Sequence, residues 1–104
     1  MIIATTENIP ERNVKEILGV VRGNTIQSRH VGRDIMAGLK TIVGGEIKSY
    51  TEMISRAREE AISRMTAEAE KLGADAILMV RFTTSSVMPQ AAEVLAYGTA
   101  VKFE

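Results

Sequence analysis

The chain has 104 residues, enough for one domain and too few for two, so we treat residues 1–104 as a single domain. Its 13 basic and 13 acidic side chains balance, which excludes the basic excess that nucleic-acid binding requires, and it has no cysteine for disulfides, thiolate catalysis or cysteine-ligated metals. The N-terminus lacks the pattern of a signal peptide and no apolar run is long enough to span a membrane. We therefore expect a cytoplasmic protein that has neither nucleic acid nor membrane as a partner.

The N-terminal part of the sequence predicts two strands. Residues 1–6, "MIIATT", form a short β-branched run, and the segment around Pro10 is typical of a turn. Residues 14–28 alternate in polarity over a long stretch, which predicts a long strand. A glycine inside a strand often marks an irregular pairing, so we expect this strand to bend or bulge at Gly19 or Gly23.

Two helices are predicted in the middle of the chain. Residues 33–45 carry an apolar stripe at steps of three and four and end in a glycine pair; the stripe is Ile35, Met36, Leu39, Ile42 and Val43. The second helix begins at a capping box, Ser49 with Glu52, and ends before Gly73. Its stripe is rich in alanine, which predicts close packing, and consists of Tyr50, Ile54, Ala57, Ala61, Met65, Ala69 and Leu72. Glu60 and Arg64 are spaced for an ion pair on its outer face.

The C-terminal part predicts two further strands. Residues 76–84 are apolar on both faces, which is typical of a strand that is central in a sheet or covered by a partner chain. Residues 85–90 are predicted as a loop, and residues 93–103 as a last alternating strand. The element order is ββααββ, which predicts an α+β fold with two helices packed on a mainly antiparallel sheet.

The only histidine gives the one metal-site hypothesis. His30 and Asp34 are four residues apart, so on a helix their side chains would lie together and could form half of a metal site or an acid–base pair. The alternative, which we favour, is a surface histidine at the start of a helix. One histidine and one carboxylate are too few to close a metal site within a single chain.

Arg81 is the other candidate functional residue. It interrupts an apolar strand, where an unpaired charge would be costly, so we expect an ion pair across the sheet or, as the alternative, a charge lining a polar interface pocket. The methionines fall mostly on core positions and are interpreted as packing rather than as soft-metal ligands. No nucleophile–base pair and no paired carboxylates are present, so we expect a non-enzyme, and no cofactor is indicated.

Four stretches, "LGVVRG", "GLKTIVGGEIKSYTEMISRAREEAISRM", "LGADAILMVRFTTS" and "VLAYGTAVKF", resemble the YbjQ-like family of small bacterial and archaeal proteins, which carries the label "putative heavy-metal-binding". The resemblance covers nearly the whole chain. It implies a small α+β fold similar to dodecin subunits, and assembly into a homopentameric ring.

These observations favour a non-enzymatic homo-oligomer, a pentamer by the resemblance, that binds a small ligand or ion at its subunit interfaces. The alternative is a heavy-metal-binding protein in which ring symmetry multiplies His30 and Asp34 into a site. A third hypothesis is an enzyme whose active site combines Arg81 with carboxylates of a neighbouring subunit.

Overall fold

The computed structural model describes residues 1–28, 42–43, 46–89 and 91–104, with the side chains of residues 28 and 42–50 left aside. Within these ranges the elements in chain order are β1 (Ile2–Ile3), β2 (Val14–Ser28), β3 (Ile42–Val43), β4 (Glu46–Ile47), α1 (Lys48–Lys71), β5 (Ala76–Met88) and β6 (Ala91–Phe103). The predicted α+β class is confirmed. In the described part of the chain, one helix packs on one four-stranded sheet.

The four-stranded sheet has the order β1-β5-β6-β2. Strand β6 lies in the centre and pairs antiparallel with both β5 and β2, whereas the short β1 runs parallel to β5. The sheet is therefore mainly antiparallel, as predicted, with one parallel edge. Strands β3 and β4 form a separate two-stranded pair.

Two segments differ from the sequence-based expectation. The predicted helix at residues 33–45 lies mostly outside the described residues, but Ile42–Val43 are strand β3, so the prediction of helix there is wrong. The predicted loop is also wrong over residues 85–88, where β5 continues to Met88 and pairs with β6, with a register shift between Ser86 and Met88. Pairing with β6 satisfies the backbone groups of Ser85 and Ser86, and this outweighs the weak strand propensity of serine.

Helix α1 packs on the sheet through the predicted stripe of small residues. Its fully buried positions are Ala57, Ala61, Met65 and Ala69. Leu72 is 45% exposed, and its assignment to the stripe is wrong, because the helix ends at Lys71 and Gly73 turns the chain with a φ of 77°. The helix begins at Lys48, so Ser49 lies within the first turn rather than at the predicted cap.

Gly23 of β2 lies directly beneath the backbone of α1. A Cβ added at Gly23 would overlap the carbonyl oxygen of Ala61 and the backbone nitrogen of Met65. Two residues along β2, the Thr25 hydroxyl donates a hydrogen bond of 3.0 Å to the carbonyl oxygen of Ala57. Helix backbone therefore meets strand backbone with almost no side-chain volume between them, which explains the alanine stripe.

Irregular pairing occurs in both strands that flank β6. In β2 the register shifts between Ile17 and Gly19, and Gly19 has a φ of 130°, so the predicted bulge is confirmed at Gly19 rather than at Gly23. In β5 the register shifts between Leu78 and Arg81, around Met79 with a φ of 55°. A positive φ is uncommon for a residue that has a side chain.

The bulge at Met79 changes which side chains of β5 reach the core. Ile77 and Val80 both contact the position where Gly98 would carry a Cβ, so they lie on the face that α1 covers. Leu78 is buried on the opposite face. The predicted burial on both faces is confirmed for these residues, but Met79 and Phe82 are close to half exposed.

Replacing Ala61 with Leu should destabilise the fold, because the added atoms enter a contact that is already closed between α1 and Gly23. We expect the free energy of unfolding to fall by about 1–3 kcal/mol, which chemical denaturation would measure. The matched control is Glu60→Leu on the exposed outer face of the same turn, which should change stability by less than about 0.5 kcal/mol. Equal effects of the two substitutions would contradict the packing of α1.

Candidate ligand-binding site

The face of the sheet that points away from α1 carries exposed apolar side chains, and we call it the open face. Register and alternation place Val14, Ile17, Val20, Arg22 and Ile26 of β2 on it, beside Tyr97 and Thr99 of β6. Ile17, Val20 and Ile26 are 70%, 72% and 61% exposed. Exposed apolar surface of this extent on one side of a sheet indicates a binding surface.

Residues 1–12, which we call the N-terminal segment, cover one end of the open face. The backbone N–H groups of Met79 and Val80 donate to the carbonyl oxygens of Thr6 and Ala4, at 3.1 and 3.0 Å. Ala4 and Ile9 pack against a small second core, which consists of Ala76, Leu78, Val101 and Phe103. The Arg12 guanidinium lies 4.4 Å from the centre of the Phe103 ring, a cation–π contact.

A cleft of about 250 Å³ opens where this segment meets the uncovered part of the open face. Glu7 and Asn8 of the connecting segment line one side of it. The side chains contributed by the sheet are predominantly apolar: Val14, Ile17, Leu78, Met79, Thr99 and Val101. Pockets for drug-sized ligands usually measure about 300–1,000 Å³, so this cleft suits a small, mainly apolar molecule.

The backbone of Met79 is strained at the wall of this cleft. A left-handed conformation costs a residue with a side chain on the order of 1–2 kcal/mol, and the φ of Met79 is 55°. The surrounding hydrogen bonds hold it there, since its N–H donates to Thr6 on the N-terminal segment. Strain retained in this way often marks a binding site.

Arg81 lies two residues along β5 from Met79 of the cleft wall, and its partners differ from the favoured prediction. Its Nη1 donates to the carbonyl oxygens of Thr5 and Val80, at 3.0 and 2.9 Å. Among the described residues Arg81 forms no ion pair, so the prediction of a cross-sheet ion pair is not confirmed there. Main-chain carbonyls stabilise the guanidinium instead, and the side chain fastens the N-terminal segment to β5.

Two arginines flank a tyrosine on the open face. Tyr97 of β6 is in register with Arg22 of β2 on one side and with Arg81 of β5 on the other. The Arg22 side chain forms no hydrogen bond or ion pair with the described part of the chain. The sequence alone did not reveal this row, because the three residues come together only through the register of three strands. The sequence signal that could have indicated the row is the presence of an arginine among the apolar residues of β2 and of β5.

Two other pairs of side chains are predicted from the sequence. His30 and Asp34 fall outside the described residues, so the proposed pairing of their side chains stays a prediction. Within residues 1–28, 42–43, 46–89 and 91–104, no three histidine, cysteine or carboxylate residues are grouped as a metal site would need. Glu60 and Arg64 do form the predicted pair, with 3.6 Å between carboxylate and guanidinium.

These features define a small α+β protein with one face of a mixed sheet closed by a helix and a cleft on the other face. No helix in the described part of the chain is long and apolar enough to cross a membrane. The sequence model of the YbjQ family, described as "Putative heavy-metal-binding", matches residues 1–104. The chain belongs to this family, as the sequence motifs predicted.

Curated relatives support the same assignment. A UPF0145 protein of Archaeoglobus fulgidus is 66% identical over 102 residues, which cover 98% of this chain and 94% of the relative. A UPF0145 protein of Thermotoga maritima is 62% identical over 104 residues, which cover all of this chain and 98% of the relative. Neither name states an activity.

A solved structure supports the fold. The chain is similar to a crystal structure of a protein of unknown function from Pediococcus pentosaceus, of the DUF74 family, with a TM-score of 0.71. The match covers 100% of this chain and 98% of the other, at 18% identity. At that identity the similarity concerns the fold.

Substituting Arg81 with Gln should loosen the N-terminal segment, because it removes the donors to Thr5 and Val80. We expect amide hydrogen exchange at Met79 and Val80 to become roughly fivefold faster, equivalent to about 1 kcal/mol of local stability. Exchange in the centre of β6, for example at Ala96, should stay unchanged. Arg22→Gln is the matched control on the same row, and an equal effect of the two substitutions would show that Arg81 does not fasten the segment.

Proposed function

We propose that this protein is a non-enzymatic, cytoplasmic homo-oligomer whose subunits meet at the open face and enclose the cleft as a small-ligand site. The carrying observation is the exposure of Ile17, Val20 and Ile26, three large aliphatic side chains on one side of the sheet. Exposing these apolar side chains to water costs free energy. Burying them against a second copy of the chain would remove that cost. A dodecin-like pentameric ring is the assembly that the sequence resemblance implies.

Two further observations support assembly. The net charge of the chain is zero, so subunits approach one another without a repulsive monopole. Strand β2 is an edge of the sheet, and neighbouring chains commonly cover exposed edges. The cleft adjoins this edge through Val14 and Ile17, so a second subunit on the open face would lie close to it.

Replacing Val20 with Glu should weaken assembly by at least about tenfold, because the interface would have to bury an unpaired carboxylate. Light scattering and native mass spectrometry would count the subunits of the two proteins over a range of concentrations. The matched control, Ser63→Glu on the exposed side of α1, should assemble as the unmodified chain does. A monomeric unmodified chain at micromolar concentration would reject the proposal.

Metal binding is the second candidate function, and the description of the family is the observation that favours it. His30 and Asp34 are the proposed ligands, and in a ring each subunit would contribute one of each to a shared site. Histidine nitrogen suits zinc, copper and nickel, so these ions are the ones to test.

Calorimetric titration of tag-free protein with zinc, copper and nickel salts tests this second candidate. We expect binding heat from the unmodified chain and at least about a tenfold loss of affinity in His30→Ala, because a site with few ligands depends on each of them. Glu68→Ala, on the exposed side of α1, is the control for nonspecific carboxylate binding. No heat, or equal heat from the unmodified and His30→Ala proteins, would reject the site.

A further inference from the structure

We propose that the cleft and the adjoining arginine row together bind a small amphiphilic anion, a molecule with an aliphatic body and one terminal carboxylate. This inference rests on the proposed function, because it assigns a ligand class to the cleft that the assembled subunits would enclose. The cleft takes the aliphatic body. Arg22, Tyr97 and Arg81 take the anionic end.

The spacing of the strands places the two parts within reach of one small molecule. Thr99 lines the cleft, and Tyr97 is the next residue of β6 on the same face, so the row begins about 7 Å from the cleft. Arg22 and Arg81 lie on the two strands that flank β6, about 10 Å apart from strand to strand. The long Arg22 side chain can reach over Tyr97, whereas Nη1 of Arg81 is held on the side of β5 that faces the N-terminal segment, by the carbonyl oxygens of Thr5 and Val80.

The charges of the row itself favour an anion there. Glu93 is on the same face, four residues from Tyr97 along β6, and accepts a hydrogen bond from the Asn24 side chain. Neither arginine forms an ion pair among the described residues, and each guanidinium has five N–H donors. Arg81 uses only its Nη1 on Thr5 and Val80, which leaves Nε and Nη2 for a ligand. Tyr97 is 38% exposed and adds a hydroxyl donor between the two cations.

The cleft itself disfavours the opposite orientation. Glu7 is the one carboxylate among the described residues that line it, so an anionic group placed inside the cleft would meet a like charge, whereas an aliphatic chain would meet Ile17, Met79 and Val101. The volume of about 250 Å³ limits the body to a short chain. A purely apolar ligand would leave the arginines without an anionic partner, and a cationic one would be repelled by them.

Octanoate is the probe that fits these constraints, and octylamine is its matched control with the same chain and the opposite charge. We expect calorimetry of the full chain to detect octanoate binding and to give at least about tenfold weaker binding for octylamine. Arg22→Gln should weaken octanoate binding by at least about tenfold, whereas Arg58→Gln, an exposed arginine of α1, should not. Arg22 is chosen because it anchors no other segment.

Methionine methyl NMR locates the bound molecule. The Met79 methyl signal should shift when octanoate is added, and the signal of Met65, which α1 buries against the sheet, should not. Equal binding of octanoate and octylamine, no effect of Arg22→Gln, or no binding of octanoate would each overturn the inference. Binding only to vesicles of anionic phospholipid, without binding of monomeric octanoate, would overturn it as well.

Subunit counting by light scattering in the same samples separates this inference from the proposed assembly. A monomer that binds octanoate with the expected Met79 shift would reject the assembly and support the ligand class. An oligomer that binds octanoate and octylamine equally would support the assembly and reject the ligand class.

Discussion

The contact between Gly23 and the backbone of α1 is the constraint on which the rest of the structure depends. Helix backbone can approach a strand this closely only where the strand has no side chain and the helix presents alanine. The hydrogen bond from the Thr25 hydroxyl to the Ala57 carbonyl fixes the same helix one turn closer to its N-terminus. This contact holds α1 over β2 and β6, and the short distance between helix and sheet keeps the core thin and aliphatic. Because α1 covers one face, the opposite face of the sheet is free for other contacts.

The bulges at Gly19 and Met79 determine which side chains lie on each face of the sheet. Around Gly19 and Met79 the strands admit an extra residue, so apolar side chains of neighbouring positions can reach both the helix-covered core and the small second core. The bulge in β5 also brings Met79 against the N-terminal segment, and that meeting creates the cleft. The bulge at Met79 therefore both directs side chains of β5 into the core and forms part of the wall of the cleft.

The sequence predicted the parts that depend on local pattern and missed those that depend on register. Helical spacing was enough to identify Ala57, Ala61, Met65 and Ala69 as buried, and alternation was enough to identify β2 and β6. The sequence pattern could not show which of Gly19 and Gly23 forms the bulge, since either glycine can form a bulge or allow a helix to pack closely against the strand. The row of Arg22, Tyr97 and Arg81 could not be predicted from the sequence, because it depends on the register of three different strands.

The place of β6 in the sheet has a consequence for biosynthesis. Strand β6 lies between β2 and β5, yet it follows both of them in the chain, so the sheet cannot close before residues 91–103 have left the ribosome. Until then β2 and α1 have no completed core, and their apolar residues are exposed to chaperones and to neighbouring nascent chains. Because β2 and β6 pair across most of the sequence, closure is also a slow, long-range event. Folding of this protein is therefore expected to be late and all-or-none rather than progressive from the N-terminus.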